Sequence, residues 1–262
     1  MTEQLLKKLN FNCSSVHKHL TTFIRKNIKN KGFQRVVIGL SGGIDSSLST
    51  YLAKDALGKE NVWAILMPYK TTSKESIEDA MRVITETGIN YKKIDITPMA
   101  DAYFNYFDEM SNIRKGNVMA RMRMIVLFDM SQYLDALVLG TSNKTEAFLG
   151  YGTWYGDTAC SINPIGDLHK TQVRALAKYL NIPESILNKK PTADLWRGQT
   201  DEKELGFTYE QADIILYHLI DLNWKIEEIV NLGFSKEVIY KIKNRVNKYS
   251  FKRSPPEIAK LS

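Results

Sequence analysis

The feature that most constrains the fold of this chain is a short apolar run that breaks abruptly into a glycine-rich bend. Residues 36–40, Val-Val-Ile-Gly-Leu, are mostly β-branched, which is typical of a strand buried on both faces of a sheet. Residues 41–47, Ser-Gly-Gly-Ile-Asp-Ser-Ser, follow at once, and helical spacing begins at about Asp45. A buried strand that turns directly into a helix predicts an α/β unit with the bend at the carboxyl end of the strand.

The alternation of short apolar runs and amphipathic stretches continues along the chain. It predicts an α/β fold: a doubly wound, mostly parallel sheet with flanking helices and a helical C-terminal extension. Ser14 or Ser15 is the expected cap of the first long helix. The expected strands are residues 36–40, 62–67, 91–96 and 136–139, and the expected helices are residues 14–29, 45–56, 73–87, 117–134, 171–180, 208–222, 225–232 and 235–249.

The domain organisation follows from where this alternation stops. We expect residues 1–262 to form a single domain, with an α/β core at 14–180 and a helical part at 208–262. Between them, residues 188–207 are mostly polar and show neither helical nor strand periodicity. An irregular segment of that length is typical of a functional loop, so we predict a lid over the substrate.

Composition excludes several classes of protein. No apolar run approaches the roughly 18 residues of a membrane span, and the N-terminus lacks the continuous apolar segment of a signal peptide. Cys13 and Cys160 are the two cysteines of the chain, and they form neither a C-x-x-C nor a zinc-binding pattern. Sparse cysteine use is typical of a reducing compartment, so we expect a cytoplasmic protein with no membrane partner.

The net charge of +7 is concentrated near the C-terminus, where residues 236–253 hold most of the excess of lysine and arginine. One interpretation is a landing zone for polyanionic substrates or nucleic acid. The other is a solvated helix face, which the helical spacing of Val238, Ile242, Val246 and Tyr249 on a buried face favours. We therefore expect no nucleic-acid partner.

The bend at 41–47 has the properties of an anion-binding loop. Paired glycines let the backbone approach an anion closely, and the start of the following helix offers unpaired N–H groups. The chain has no Gly-x-x-x-x-Gly-Lys-Ser/Thr string, so the loop does not clamp phosphate with a lysine of its own. Asp45 beside a phosphate would be repulsive without a cation, and it therefore implies Mg²⁺. The alternative is a plain glycine turn in which Asp45 only begins a helix.

Two levels of resemblance narrow the function. The bend resembles the pyrophosphate-binding loop of the ATP pyrophosphatase group, in which ATP is cut between its α and β phosphates. Further strings, in the same order, resemble the ammonia-dependent NAD synthetases from about residue 15 to the tail at 252–256. These strings are Gly-Asn-Val-Met-Ala-Arg-Met-Arg-Met at 116–124, Gly-Thr-Ser-Asn-Lys-Thr-Glu at 140–146, Tyr-Gly-Asp at 155–157, Ile-Asn-Pro at 162–164 and Pro-Thr-Ala-Asp-Leu at 191–195.

This resemblance implies a ligase that converts deamido-NAD to NAD with ATP and ammonia, through an acyl-adenylate, releasing AMP and pyrophosphate. It also implies the roles of individual residues. Asp45, Glu146 and Lys170 are the implied catalytic residues, and Asp45 and Glu146 are the implied Mg²⁺ ligands. The implied ATP contacts are Gly39, Leu40, Ser41, Gly42, Gly43, Ile44, Asp45, Ser46, Thr141, Lys170 and Thr192, and the implied deamido-NAD contacts are Arg121, Asp157 and Lys252.

Some positions leave alternatives open or depart from the family. Arg121 could instead pair with a core carboxylate, and Lys170 taken alone could be a surface lysine. Trp154 and Ser161 stand where family members often carry lysine and aspartate, and Phe251 stands where histidine is common. These departures concern recognition of the nicotinate substrate and leave the ATP half of the site intact.

The remaining expectations concern the nitrogen donor and assembly. No glutamine-hydrolysing domain accompanies the synthetase motifs, and Cys13 lacks the surroundings of an amidase nucleophile, so ammonia is the expected donor. The apolar arc of residues 117–134, together with Leu5, Leu6 and Leu9, exceeds what one face of a sheet can cover. In the family such helices build a homodimer, and we expect one here.

Two rival functions are compatible with the loop. A tRNA-modifying pyrophosphatase would fit the basic tail, but it would need an RNA-binding appendage and, in thiolating members, paired reactive cysteines. A non-catalytic adenine-nucleotide-binding protein is the second rival. Retention of both Asp45 and Glu146 argues against it.

Overall fold

The computed structural model describes residues 2–192 and 200–261. The middle of the predicted lid, residues 193–199, lies outside the described residues. Among the helices of the described residues, none combines the length and apolar character that crossing a bilayer requires.

The centre of the fold is a four-stranded parallel sheet with the order β3-β2-β1-β4. The chain builds outwards from β1 through β2 to β3, and then returns to add β4 on the other side of β1. The strand order therefore reverses between β1 and β4, which creates a crevice at the carboxyl ends of these two strands. The strands are β1 (Arg35–Gly39), β2 (Val62–Leu66), β3 (Asn90–Lys93) and β4 (Ala136–Val138).

Helices cover both faces of the sheet and form the C-terminal part. The predicted doubly wound α/β fold, with its helical C-terminal extension, is confirmed. A π-helical turn, Tyr217–Asp221, follows the eleventh helix. The helices are α1 (Thr2–Leu6), α2 (Cys13–Asn30), α3 (Ile44–Leu57), α4 (Lys74–Thr87), α5 (Thr97–Phe104), α6 (Asn112–Tyr133), α7 (Lys144–Leu149), α8 (Lys170–Tyr179), α9 (Glu184–Leu187), α10 (Asp201–Leu205), α11 (Tyr209–Leu216), α12 (Ile226–Val230) and α13 (Lys236–Lys248).

The β-branched run of β1 explains the two-sided core. Val36 and Ile38 pack with α2, α3 and α8 on one face, while Val37 packs with α5 and α6 on the other. All three side chains are fully buried, as the continuous apolar run predicted. Because β1 is central and buried on both faces, the bend that follows it is held rigidly.

The helical C-terminal part has an apolar cluster of its own, formed by α11, α12 and α13 around Leu149 of α7. Leu5 and Leu6 are partly buried against this cluster, and Leu9 is buried as well, so the N-terminal leucines pack within the chain. The buried residues of α13 are Ile239, Ile242 and Val246, so the predicted burial of Ile242 and Val246 is confirmed, and Ile239 is buried in place of Val238.

Several predicted boundaries were wrong, each for a local reason. The cap of α2 is Asn12 rather than Ser14 or Ser15, because the Asn12 side chain accepts the Ser15 N–H at 2.8 Å. Helix α6 begins five residues early, since Ser111 caps it. The predicted lid is not wholly irregular: Asp201–Leu205 is helical, and burial of Leu205 anchors it.

Candidate active site

Gly42 shapes the bend at the carboxyl end of β1. Its φ of +77° is a left-handed conformation, and a methyl group there would overlap the carbonyl oxygen of Ser76 on α4. Gly43 is the N-cap of α3 and has no side chain to cap the helix, so the first-turn N–H groups can bind an anion. The hydroxyls of Ser46 and Ser47 donate to Gly43 O at 3.1 and 2.8 Å, which turns Ser47 into the loop rather than towards a ligand.

The fold brings Asp45, Glu146 and Lys170 together. Lys170 Nζ lies 2.5 Å from Asp45 Oδ2 and 2.9 Å from Glu146 Oε1. The Lys170 side chain is only 4% exposed, and a buried ammonium group is stable only when it is paired. The ring of Tyr209, whose centroid is 5.1 Å from Nζ, adds a cation–π contact. The surface-lysine alternative for Lys170 was therefore wrong.

Burial and charge act on this cluster in opposite directions. Burial raises the pKa of Glu146 to about 7, although the Lys170 ammonium opposes the shift. Burial alone would lower the pKa of Lys170, but the Asp45 and Glu146 carboxylates outweigh it and hold that pKa above its ordinary value. Lys170 is therefore a permanent cation at the carboxyl end of the sheet.

Asn143, which the sequence analysis did not single out, joins two parts of the cluster. Its Nδ2 donates to Asp45 Oδ1 at 2.8 Å, and its Oδ1 accepts the Glu146 N–H at 2.9 Å as the N-cap of α7. The signal was present, since asparagine three residues before a glutamate after a strand is typical of a helix start. The link to Asp45 depends on β4 lying beside β1.

A second group missed from the sequence lies where α10 and α11 meet the cleft. Asp201, which is buried, accepts the Tyr209 hydroxyl at 2.9 Å. The Tyr151 hydroxyl lies 2.9 Å from Asp201 and 3.0 Å from Glu204, and its single proton can bond only one of them at a time. Tyr151, Asp201 and Glu204 fall in stretches without periodicity, where spacing carries no information. Tyr209 begins a predicted helix, but no local pattern indicates its partner.

One continuous cleft of about 980 Å³ connects these groups. Its volume is near the top of the range of about 300–1,000 Å³ that is usual for small-molecule sites. Arg121 is exposed and outside the lining, whereas Arg123 lines the cleft and donates to Met67 O at 3.0 Å. The predicted site residues that line the cleft are Gly39, Leu40, Ser41, Gly43, Ile44, Asp45, Ser46, Thr141, Glu146, Asp157, Lys170, Thr192 and Lys252.

Another part of the cleft lining includes Lys252, from the C-terminal segment, and Asp157, from the loop after α7. Lys252 Nζ donates to the carbonyl oxygens of Gly150 and Gly152 at 2.9 and 2.7 Å, which ties the C-terminus to this loop. Asp157 accepts the Thr153 N–H at 2.8 Å, and burial raises the pKa of Asp157.

Arg121 is exposed and lies next to this loop, outside the set of residues that line the cleft. Its Nη2 donates to Trp154 O at 3.1 Å, so the alternative pairing with a core carboxylate was wrong. Trp154 stacks on Tyr155 with a ring separation of 4.3 Å and meets Phe251 edge-on at 5.3 Å. Aromatic rings thus occupy two positions where the family often has charged or polar residues.

The donor set suits a magnesium ion that also binds phosphate. Asp45 and Glu146 each place a carboxylate oxygen beside the Lys170 ammonium, and Mg²⁺ prefers one or two carboxylates together with phosphate oxygens. Within residues 2–192 and 200–261, no three His, Cys, Asp or Glu side chains come close enough to hold a metal without a nucleotide. Two carboxylate ligands suit a magnesium ion that completes its coordination with phosphate oxygens.

Anion-binding bends at the switch point of a parallel sheet are typical of nucleotide-binding α/β proteins, and the fold and cleft assign the chain to that class. The family model of NAD synthase matches residues 16–256, and the chain belongs to this family.

Three known proteins illustrate the similarity. The NH(3)-dependent NAD(+) synthetase of Fusobacterium nucleatum is 51% identical over 256 residues, covering 98% of this chain and 99% of that protein. The structure of the NH3-dependent NAD synthetase of Campylobacter jejuni has a TM-score of 0.82 at 40% identity, covering 95% of this chain and 100% of that one. The structure of the NMN synthetase of Francisella tularensis has a TM-score of 0.86 at 32% identity, covering 96% and 100%.

Proposed function

We propose that this protein is an ammonia-dependent NAD synthetase, a ligase that catalyses the last step of NAD biosynthesis. It converts deamido-NAD to NAD with ATP and ammonia and releases AMP and pyrophosphate. The observation that carries the proposal is the convergence of Asp45, Glu146 and Lys170 at the anion-binding bend of a chain that shares its family's motifs along its whole length.

The chemistry follows from where negative charge must be accommodated. A nicotinate carboxylate oxygen attacks the α-phosphorus of ATP, the bond to the bridging oxygen breaks, and pyrophosphate leaves. Ammonia then attacks the acyl carbon of the adenylate, and AMP leaves. The N–H groups at the start of α3 hold the pyrophosphate, and the Lys170 ammonium lowers the energy of the charge that builds on phosphate oxygens.

Asp45 and Glu146 would hold Mg²⁺ together with the triphosphate, where the ion neutralises phosphate charge. Gly39, Leu40, Ser41, Gly42, Gly43, Ile44, Ser46, Thr141 and Thr192 are the proposed ATP contacts. Arg121, Asp157 and Lys252 are the proposed contacts of the acceptor. The Asp157 carboxylate, which lines the cleft, is also a candidate to take a proton from the incoming ammonium.

A second acceptor is supported by one observation, the likeness to the Francisella NMN synthetase. The same chemistry on nicotinate mononucleotide would give NMN, and it needs only the acceptor end of the cleft to differ. Trp154 and Phe251 stand at that end in place of charged or polar residues. The higher identity to an NAD synthetase favours the dinucleotide.

The proposal is tested by measuring AMP, pyrophosphate and amide product with ATP, Mg²⁺ and ammonium, using deamido-NAD and nicotinate mononucleotide in parallel. We expect kcat/KM to be at least about tenfold higher for deamido-NAD, because a site built for the larger acceptor loses contacts with the smaller one. Glutamine in place of ammonium should support little turnover. A preference for the mononucleotide would select the second acceptor, and absence of AMP release with both would reject the ligase assignment.

The metal is tested separately with Asp45→Asn and Glu146→Gln. Each should lower kcat about 100-fold and raise the Mg²⁺ concentration that gives half-maximal rate, because one ligand of the metal–nucleotide complex is neutralised. Glu78→Gln, on the exposed side of α4, provides a matched control that should change neither quantity. If both site variants kept the Mg²⁺ requirement of wild type, Asp45 and Glu146 would not be ligands of the metal.

We further propose a homodimer in the cytoplasm. On α6, Ile125 and Phe128 are 53% and 41% exposed, and Ile113 is exposed at the start of the same helix. Apolar side chains grouped on one helix face are typical of a surface that another chain covers. Cys13 and Cys160 are free thiols, which fits a reducing compartment.

A further inference from the structure

The position of Lys170 depends on more than its two carboxylate partners. Lys170 is the first residue of α8, so the start of that helix decides where its ammonium group lies. The Lys170 N–H donates to Thr145 Oγ1 at 3.0 Å. Thr145 is the neighbour of Glu146 on α7, and it is fully buried. One hydroxyl group therefore fixes the helix that carries Lys170 against the helix that carries Glu146.

Asp213 of α11 holds this hydroxyl group in place. Thr145 Oγ1 donates to Asp213 Oδ1 at 2.5 Å, and the Thr171 N–H donates to Asp213 Oδ2 at 2.7 Å. Asp213 is fully buried, so these two bonds take the place of the water that would otherwise surround the carboxylate. Each oxygen of Asp213 thus restrains one of the two helices, α7 through Thr145 and α8 through Thr171.

The surroundings of Asp213 support a fixed arrangement. His169 Nδ1 lies 3.8 Å from Asp213 Oδ1, too far for a hydrogen bond. His169 Nε2 instead pairs with Asp221 Oδ2 at 3.0 Å, and Lys144 Nζ lies 2.5 Å from Asp221 Oδ1. Asp221 lies in the π-helical turn after α11. Asp213 and Asp221, both from the helical C-terminal part, therefore bind residues at the starts of α7 and α8.

We propose that Asp213 is a positioning residue of the ligase reaction, which acts through Thr145 and Thr171 to hold Lys170 in register with Asp45 and Glu146. This inference rests on the proposed function. Asp213 does not line the cleft and acts only through Lys170, whose ammonium is proposed to stabilise the charge of the transition state. The main loss should therefore be in the rate of the chemical steps, with a smaller effect on the binding of ATP. A displacement of about 1 Å in a catalytic group can cost about 100-fold in rate.

The primary test uses Asp213→Asn. In asparagine one of the two acceptor oxygens becomes an NH2 group. Facing the Thr171 N–H, this group removes that bond; facing the Thr145 hydroxyl, it reverses the bond and leaves the hydroxyl proton without its acceptor, so one of the two restraints is weakened or lost. We expect kcat with deamido-NAD, ATP and ammonium to fall between about 10-fold and 100-fold, with KM for ATP and Kd for ATP within about threefold of wild type.

A second pair of variants decides the matter if Asp213→Asn does not fold. Thr145→Val removes the hydroxyl at nearly constant volume, whereas Thr145→Ser keeps it. Thr145→Val should lower kcat as far as Asp213→Asn does, and Thr145→Ser should restore it to within about threefold of wild type. Asp213→Asn and Thr145→Val break the same chain of contacts. The kcat of the double variant should therefore lie within about threefold of the kcat of the less active single variant.

Thr87→Val is the matched control for stability. Thr87 is buried at the end of α4, and its hydroxyl donates to Val83 O at 2.6 Å. It should lower the melting temperature as Thr145→Val does and leave kcat unchanged. The proposal is overturned if Asp213→Asn or Thr145→Val loses stability with kcat intact, or if Thr145→Ser fails as fully as Thr145→Val. Failure of the proposed function would look different, since wild type itself would then not turn over, while ATP binding would remain measurable.

Discussion

Asn143 and Asp45 are joined by a hydrogen bond of 2.8 Å between Nδ2 of the amide and Oδ1 of the carboxylate, across 98 residues of sequence. The same amide caps α7 through the Glu146 N–H. One side chain therefore aligns the two carboxylates that are proposed to bind Mg²⁺.

Asn143→Ala should lower kcat between about 10-fold and 100-fold, because the Asp45 carboxylate loses a hydrogen-bond donor and the Glu146 N–H loses the side chain that caps α7. The loss of the cap alone should cost about 1 kcal/mol in the free energy of unfolding. Asn12→Ala, which removes the cap of α2 away from the cleft, is the control: it should cost the same stability and leave kcat unchanged. Steady-state kinetics and urea unfolding check both, and equal kinetic effects would contradict the alignment role.

The bend itself is tested by Gly42→Ala. Left-handed backbone strain and the overlap with Ser76 O should together cost about 2–5 kcal/mol in the free energy of unfolding. Gly32→Ala shares the positive φ, +82°, but a methyl group there meets no neighbouring atom. It should cost only about 1–2 kcal/mol. If urea unfolding gives equal losses for the two variants, packing of the bend against α4 is not what requires Gly42.

His218 should make stability fall in acid. Burial lowers its pKa below the ordinary 6.5, with a smaller contribution from Lys8, while its bond to Ile214 O acts in the opposite direction. The unfolded chain therefore binds a proton at His218 at a higher pH than the folded chain does. The contribution of neutral His218 to the free energy of unfolding is therefore complete above about pH 6.5 and is lost as the pH falls below that value.

The variant that isolates this effect is His218→Asn, whose amide can keep the bond to Ile214 O. Between about pH 6.5 and 5 its melting temperature should fall less steeply than that of wild type. His19→Asn makes the same change on an exposed face of α2 and should keep the wild-type slope. Parallel slopes for all three proteins would show that other groups govern the acid sensitivity.

The proposed dimer is tested by Ile125→Glu. A charge placed in the middle of the exposed face of α6 would be buried without a partner, so the dimer should weaken by at least about 100-fold. Tyr240→Glu puts the same charge at an exposed apolar side chain on α13 and should leave the dimer intact. Light scattering at micromolar concentration measures both, and wild-type protein at the mass of one chain would refute the dimer.

The sequence by itself determined the elements and the bend, because these depend on neighbouring residues. The apolar run of β1 predicted a strand buried on both faces, and the glycines and Asp45 after it predicted an anion-binding helix start. Errors concerned boundaries such as the cap of α2, where Asn12 rather than a nearby serine made the bond, and the short helix Asp201–Leu205, which lies inside the segment expected to be irregular.

Only the tertiary structure decided which distant side chains meet. Lys170 reaches Asp45 across 125 residues because β4 returns to pair with β1, and no local spacing encodes that pairing. Asp213 lies on a helix whose pattern predicts burial but gives no reason for a buried carboxylate. The reason is physical: a carboxylate is stable in the interior only where donors from other elements surround it, and the fold must form before those donors are in place.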